Sequence, residues 1–217
     1  WFNEAKRDVE EFVEKWKDNL TGEREEPVII DREFEGIRIR GELGPFINGK
    51  QVLYRCVKEI RGKDRIRAWM RHLFSSGFED NGKETRFYSL DKKYLSLQPL
   101  SKDSALRIIS SLISLYQRGM QEPLPFFPES SYAFACNQQD KPDEEKEGDA
   151  KYSESKGIIE ARKKWVSGKH QRGEAEDSAN QLCFRDEPFR NPEFAKLACE
   201  IYKNCIDASE ADNKDIQ

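Results

Sequence analysis

Along residues 2–20 the apolar positions are Phe2, Ala5, Val9, Phe12, Val13, Trp16 and Leu20, with charged residues between them. Steps of three and four lay these on one helical stripe, which Thr21-Gly22 ends. After Pro27 the rhythm becomes two. Ile37 and Ile39 alternate with Arg38 and Arg40, and strands are expected over 28–31, 35–43 and 51–57. The last two runs flank Asn48-Gly49, a hairpin dipeptide because both residues tolerate positive φ. Asp64 is the expected N-cap of a second helix with the stripe Ile66, Trp69, Met70 and Leu73, closed by Gly77.

TRFYSL and YLSLQ predict a second hairpin with Asp91-Lys92-Lys93 at its tip. Ser101 and Asp103 open a third helix through Ala105, Leu106, Ile109, Leu112, Ile113 and Tyr116, stopping at Gly119. PLPFFPESS (123–131) is extended because of its prolines, leads into a short helix with Tyr132 and Phe134, and packs Phe126 and Phe127 into a core. Residues 137–156 have no apolar pattern and read as a solvated, mobile acidic linker or insertion. Ile158, Ile159, Ala161, Trp165 and Val166 predict a short helix ending at Gly168, and RGEAED (172–177) a charged loop. Asn191-Pro192-Glu193 starts a last helix, with Phe194, Leu197, Ala198, Ile201, Tyr202 and Cys205 on its buried face.

The expected organisation is an α/β core over 1–136, the linker over 137–156, a helical part packing on the core over 157–207 and a frayed tail over 208–217. The class is α+β. A helix, three strands, a helix, a strand pair and a helix match the core order of PD-(D/E)xK restriction-endonuclease-like nucleases, a mixed sheet flanked by helices.

Composition narrows the partners. Hydrophobic and charged residues each make up 36% and the net charge is −4, so any nucleic-acid contact must come from a local basic patch. Cysteines at 56, 136, 183, 199 and 205 form no C-x-x-C, and His72 and His170 stand far apart, which argues against zinc and for reduced thiols in the core. No apolar run approaches membrane-spanning length, so a soluble, cytoplasmic protein is expected. A first residue of Trp1 suggests a piece of a longer polypeptide.

The hairpin GELGPFINGKQVLYRCVK (41–58) has the frame of a nuclease metal site without its acids. Magnesium-dependent phosphodiester hydrolysis needs two acidic ligands and a lysine. With a two-residue turn, Gly44 opposes Leu53 and shares a face with Arg55 and Val57; a three-residue loop puts it with Cys56 and Lys58. Neither register supplies two carboxylates. Glu42, on the face of Gly44, is the candidate for a displaced acid, with Glu59 beyond it. Next comes a basic run: Lys58, Arg61, Lys63, Arg65, Arg67 and Arg71, with Arg67 and Arg71 opposite the apolar stripe. These cations, with Lys92 and Lys93, are candidates for DNA phosphates or for acids on a partner.

RIRAWMRHLFSSG and RFYSLDKKYLSLQPLSKDSALRIISSLISLYQRGMQEPLPFFPESSYAF resemble the C-terminal domain of RecC, the gamma chain of the bacterial helicase–nuclease exodeoxyribonuclease V (RecBCD). ARKKWVSGKHQRGEAED looks like its continuation, and the resemblance runs over about 36–205. It implies a nuclease-like fold without catalytic residues. Gly44 stands where a G-x-I-D strand carries its acid, and Cys56-Val57-Lys58, or Arg55-Cys56-Val57 in the other register, where a D-x-K strand would lie. It also implies no cofactor or metal in this domain, RecB-like (beta) and RecD-like (alpha) partners, and contact with DNA ends and separated strands during double-strand-break repair. Two alternatives stand beside it: an active magnesium nuclease using Glu42, and a pure protein-interaction domain.

Overall fold

The computed structural model describes residues 1–79, 82–90, 94–138, 155–168, 172–184 and 186–209. Helices α1 (Phe2–Leu20), α2 (Gly62–Phe78), α3 (Lys102–Gly119), α4 (Pro128–Cys136), α5 (Lys156–Trp165), α6 (Ser178–Cys183) and α7 (Pro192–Ala208) alternate with strands early in the chain. The strands are β1 (Arg24–Glu25), β2 (Val28–Phe34), β3 (Ile37–Leu43), β4 (Phe46–Ile47), β5 (Lys50–Tyr54), β6 (Thr85–Tyr88) and β7 (Leu95–Leu97). The chain forms two units, one of Trp1–Gln117 with Asp207–Gln217, the other of Arg118–Ile206.

The first unit holds a five-stranded mixed sheet in the order β1-β4-β5-β6-β7. β5 and β6 are parallel and α2 makes the crossover that such a pair requires. Ile47, Val52 and Tyr88 bury against Phe12 and Trp16 of α1. Trp16 Nε1 donates to the Ser89 carbonyl at 2.6 Å, which satisfies the one polar atom of a buried indole. Adjacent strand residues point to the opposite face, where Thr85 and its partner Gln51 meet His72 of α2. Thus α1 and α2 cover opposite faces of the sheet.

Local details depart from the sequence reading for definable reasons. The stripe of α1 is wider than its seat: Phe12 and Trp16 are buried, but Phe2, Val9 and Val13 are at least half exposed. Similarly, α3 buries Ala105 and Ile109 and leaves Tyr116 exposed. Asp64 is not the N-cap of α2. That position is Arg61, and Asp64 sits three residues on, accepting the Arg61 amide from inside the helix at 3.3 Å. Gly77 does not close α2. It lies within it, where a Cβ would stand 3.1 Å from Ile109 and 3.2 Å from Leu106, so it is a close-approach residue. The expected strand over 35–43 begins later because Glu35 and Gly36, with φ of 52° and 71°, form the turn of the β2–β3 ribbon. The thiols are not core residues as a group: Cys56, Cys136 and Cys183 are exposed, Cys199 is half-buried and Cys205 buried.

The second unit is helical. Phe127, Phe134, Trp165, Phe189 and Phe194 form its centre, and Phe126 stacks on Tyr202 at 5.8 Å, so PLPFFPESS supplies core as expected. Asn191 Oδ1 accepts the Glu193 amide at 3.0 Å at the start of α7. RGEAED is more than a charged loop. Glu174–Glu176 forms a 3₁₀ turn, and the Glu174 carboxylate accepts the Glu129 and Ser130 amides at 2.9 and 2.8 Å and the Ser130 hydroxyl at 2.7 Å. It caps the otherwise unsatisfied N-terminus of α4. Burial pushes its pKa up, against the pull of these hydrogen bonds. Most of the 137–156 linker, His170 and the tail beyond 209 lie outside the described residues.

Candidate functional site: the Gly44 corner and the α2 cations

The Asn48-Gly49 hairpin has the two-residue register: Phe46 pairs with Gln51 and Ile47 with Lys50. Asn48 and Gly49 have φ of 50° and 77°, as a primed turn demands. The ladder continues one step, with the Val52 amide donating to the Pro45 carbonyl at 2.9 Å, but it does not reach Gly44. The expected pairing of Gly44 with Leu53 does not form. Instead the chain breaks direction at Gly44, whose φ is +140°, and the segment before it pairs with β2, Leu43 opposite Val28. The stretch read as one long first strand is thus two strands in two sheets.

The break is held by α2. Arg71 Nη2 donates to the Gly44 carbonyl at 2.9 Å and lies 3.4 Å from that of Glu42. Arg71 therefore departs from the expected solvent-facing row: it is half-buried and directed at backbone. Glu42 itself is exposed.

The other degenerate positions lie beyond β5. The Arg55 amide donates to the Tyr88 carbonyl at 3.0 Å and the Leu90 amide to the Val57 carbonyl at 2.9 Å, so the parallel ladder outlasts the strand. Cys56 is exposed; partial burial and then the charges of Asp8 and Glu11 raise its thiol pKa. Lys58 is exposed. Arg55, which the sequence reading placed only within the degenerate hairpin, pairs with Asp64 at 2.6 Å, and Asp64 is 2% exposed. The one signal available was that Asp64 is one of only two acids, with Glu59, inside a basic run.

Of the remaining cations, Arg61, Lys63 and Arg67 are exposed and Arg65 is half-buried. The second-hairpin tip, with Lys92 and Lys93, lies outside the described residues. Between sheet and helix, His72 is fully buried, with Nδ1 3.0 Å from the Thr85 hydroxyl and Nε2 2.9 Å from the Gln98 carbonyl. A carbonyl can only accept, so Nε2 carries the proton. Burial lowers the His72 pKa to about 4. The sequence reading considered His72 only as a metal ligand and missed this role.

At the start of β5, Glu84 meets Lys50 at 3.0 Å, Arg86 at 2.5 Å and Ser96 at 2.9 Å. Burial would raise its pKa, but these three partners hold it below the usual carboxylate range. Its oxygens are committed to cations already in place. Among the described residues, no three His, Cys, Asp or Glu side chains gather to hold a metal. The magnesium of a nuclease fold therefore has no fitting donor set at Gly44, where a glycine and a guanidinium stand. No described helix is long and apolar enough to cross a membrane.

The fold is α+β with a mixed sheet flanked by helices, compatible with the nuclease-like class. The model of the family described as the RecC C-terminal domain matches residues 1–139, and the chain belongs to that family. This makes it RecC-type, the type of a subunit of RecBCD-type exonuclease V. The match takes in α1 and β2, which the resemblance in sequence did not reach, and ends before ARKKWVSGKHQRGEAED. No curated protein matches the chain.

Proposed function

We propose that the chain is a non-catalytic, nuclease-like domain of an exodeoxyribonuclease V-type complex, acting in subunit docking and in duplex splitting and strand guidance. One observation carries the loss of chemistry. The position expected to bear the first metal-binding acid is Gly44, in a left-handed conformation and bound by the cation of Arg71. A PD-(D/E)xK ancestry explains why a mixed sheet with helices on both faces persists without its acids. On this reading the domain needs no metal or cofactor.

Docking to RecB-like and RecD-like subunits is supported by α1, whose Phe2, Val9 and Val13 form an exposed apolar strip. Contact with DNA ends and separated strands falls to the exposed cations Lys58, Arg61, Lys63 and Arg67 near the start of α2. Glu42 is no replacement acid on this reading: it is exposed, and among the described residues no three His, Cys, Asp or Glu side chains gather to hold a metal. Titration with Mn²⁺ followed by electron paramagnetic resonance tests this: only free ion is expected. A bound fraction that Glu42→Ala abolishes contradicts the proposal and favours a displaced metal site.

A further inference from the structure

The carbonyls at the end of β3 pose a problem that any nuclease-like hairpin must solve. Where the chain leaves the β2 ladder, the backbone oxygens of Glu42 and Gly44 need a donor or a cation. Resting on the non-catalytic reading, we propose that Arg71 is the resident cation of this corner: its guanidinium fastens the end of β3 to α2 as a metal ion fastens a carboxylate-bearing hairpin, and excludes a metal from it.

Three observations support this. The helix that presents Arg71 is firmly seated, since Trp69, His72 and Leu73 are at most 1% exposed. Arg71 Nη2 serves both carbonyls, at 2.9 and 3.4 Å, while its Nε is buried with no hydrogen-bond partner among the described residues. The side chain is therefore held by that one nitrogen and by packing. A guanidinium remains charged at any pH the fold survives, so a divalent ion approaching these carbonyls meets a fixed like charge.

Backbone conformation adds a second, independent lock. A Cβ on Gly44 would meet Pro27 at 3.7 Å and Phe46 at 3.8 Å, which is ordinary contact. Space does not exclude a side chain there. The φ of +140° does, because L-residues rarely adopt it. Restoring an aspartate at position 44 would thus strain the corner and place a carboxylate next to Arg71, which would pair with it before any metal could.

Hydrogen exchange of the 217-residue chain, with and without excess Mn²⁺, tests the proposal. In Arg71→Ala, amides over 43–47 should exchange about tenfold faster, as expected for loss of a charge-assisted hydrogen bond. Arg71→Lys should fall between the two, and it carries the test if the alanine variant does not fold. Mn²⁺ should leave the wild-type pattern unchanged. Unchanged exchange in both variants overturns the role of Arg71 and leaves the non-catalytic reading standing. Slowing of the wild-type corner by Mn²⁺ overturns both.

Discussion

Arg67 and Arg71 lie one turn apart on α2, in one run of cations, yet they differ in kind. Arg67 is exposed, whereas Arg71 reaches back to the Gly44 carbonyl. The same division recurs at the start of the helix, where Lys58 and Arg61 are exposed while Arg55 closes on the buried Asp64. A run of like charges in sequence is thus two populations in space. One joins the helix to the segments on either side of the Asn48-Gly49 hairpin. The other faces outward and is available to a partner or to phosphate.

This division sets an order of effects. The largest belongs to Arg55→Ala, which strands the Asp64 carboxylate in the interior. Breaking a buried pair costs about 3–5 kcal/mol, and because Arg55 is 40% exposed the loss should lie at the lower end, about 3 kcal/mol in urea unfolding. Close behind comes His72, the neighbour of Arg71 on the buried side. Its pKa is about 4 in the folded chain against an ordinary 6.5. Between these values the unfolded chain binds a proton that the folded chain does not. Stability is therefore full above the unfolded value and falls as pH drops through about 4, by about 3 kcal/mol in all. His72→Gln should flatten that profile in pH-dependent denaturation. A profile unchanged by this substitution would contradict the buried neutral imidazole.

Smaller effects separate the two populations most clearly. Arg71→Ala should cost about 1–2 kcal/mol, the worth of a charge-assisted hydrogen bond to backbone. Reversal of Lys58, Arg61 and Arg67 to glutamate should change stability by about 0.5 kcal/mol or less. In the assembled complex the same reversal should weaken DNA-end binding and lower the salt slope by about 0.9 for each phosphate no longer neutralised. Unchanged binding, with assembly intact, would leave this surface to protein partners alone.

Much of this fold was legible because it rests on local periodicity. The helix over 2–20, the two hairpins, the third helix and the start at Asn191-Pro192 all follow from spacing and turn chemistry. The hairpin itself was legible, but its register was not: the sequence left two-residue and three-residue loops open, and the pairing of Phe46 with Gln51 selects the first. What stayed hidden depends on partners remote in sequence. Gly44 reads as one more residue of a strand until β2 claims the segment before it, and Pro45 is the only local sign of the break. Arg71 reads as a surface cation because helical phase cannot show that a backbone corner lies within its reach. Glu174 reads as one acid among several in RGEAED because the amides it caps lie some forty-five residues earlier in sequence. That position 44 carries no carboxylate was legible; the arginine bound to its carbonyl was not.

Cleavage is the most direct test of the central claim. The purified chain is incubated with linear duplex and single-stranded DNA and Mg²⁺ or Mn²⁺, beside Glu42→Ala and Lys58→Ala prepared identically. The account predicts intact DNA in every lane, with no difference between wild type and variants. Metal-dependent degradation by the wild-type chain that Glu42→Ala or Lys58→Ala abolishes would contradict it and identify a working nuclease.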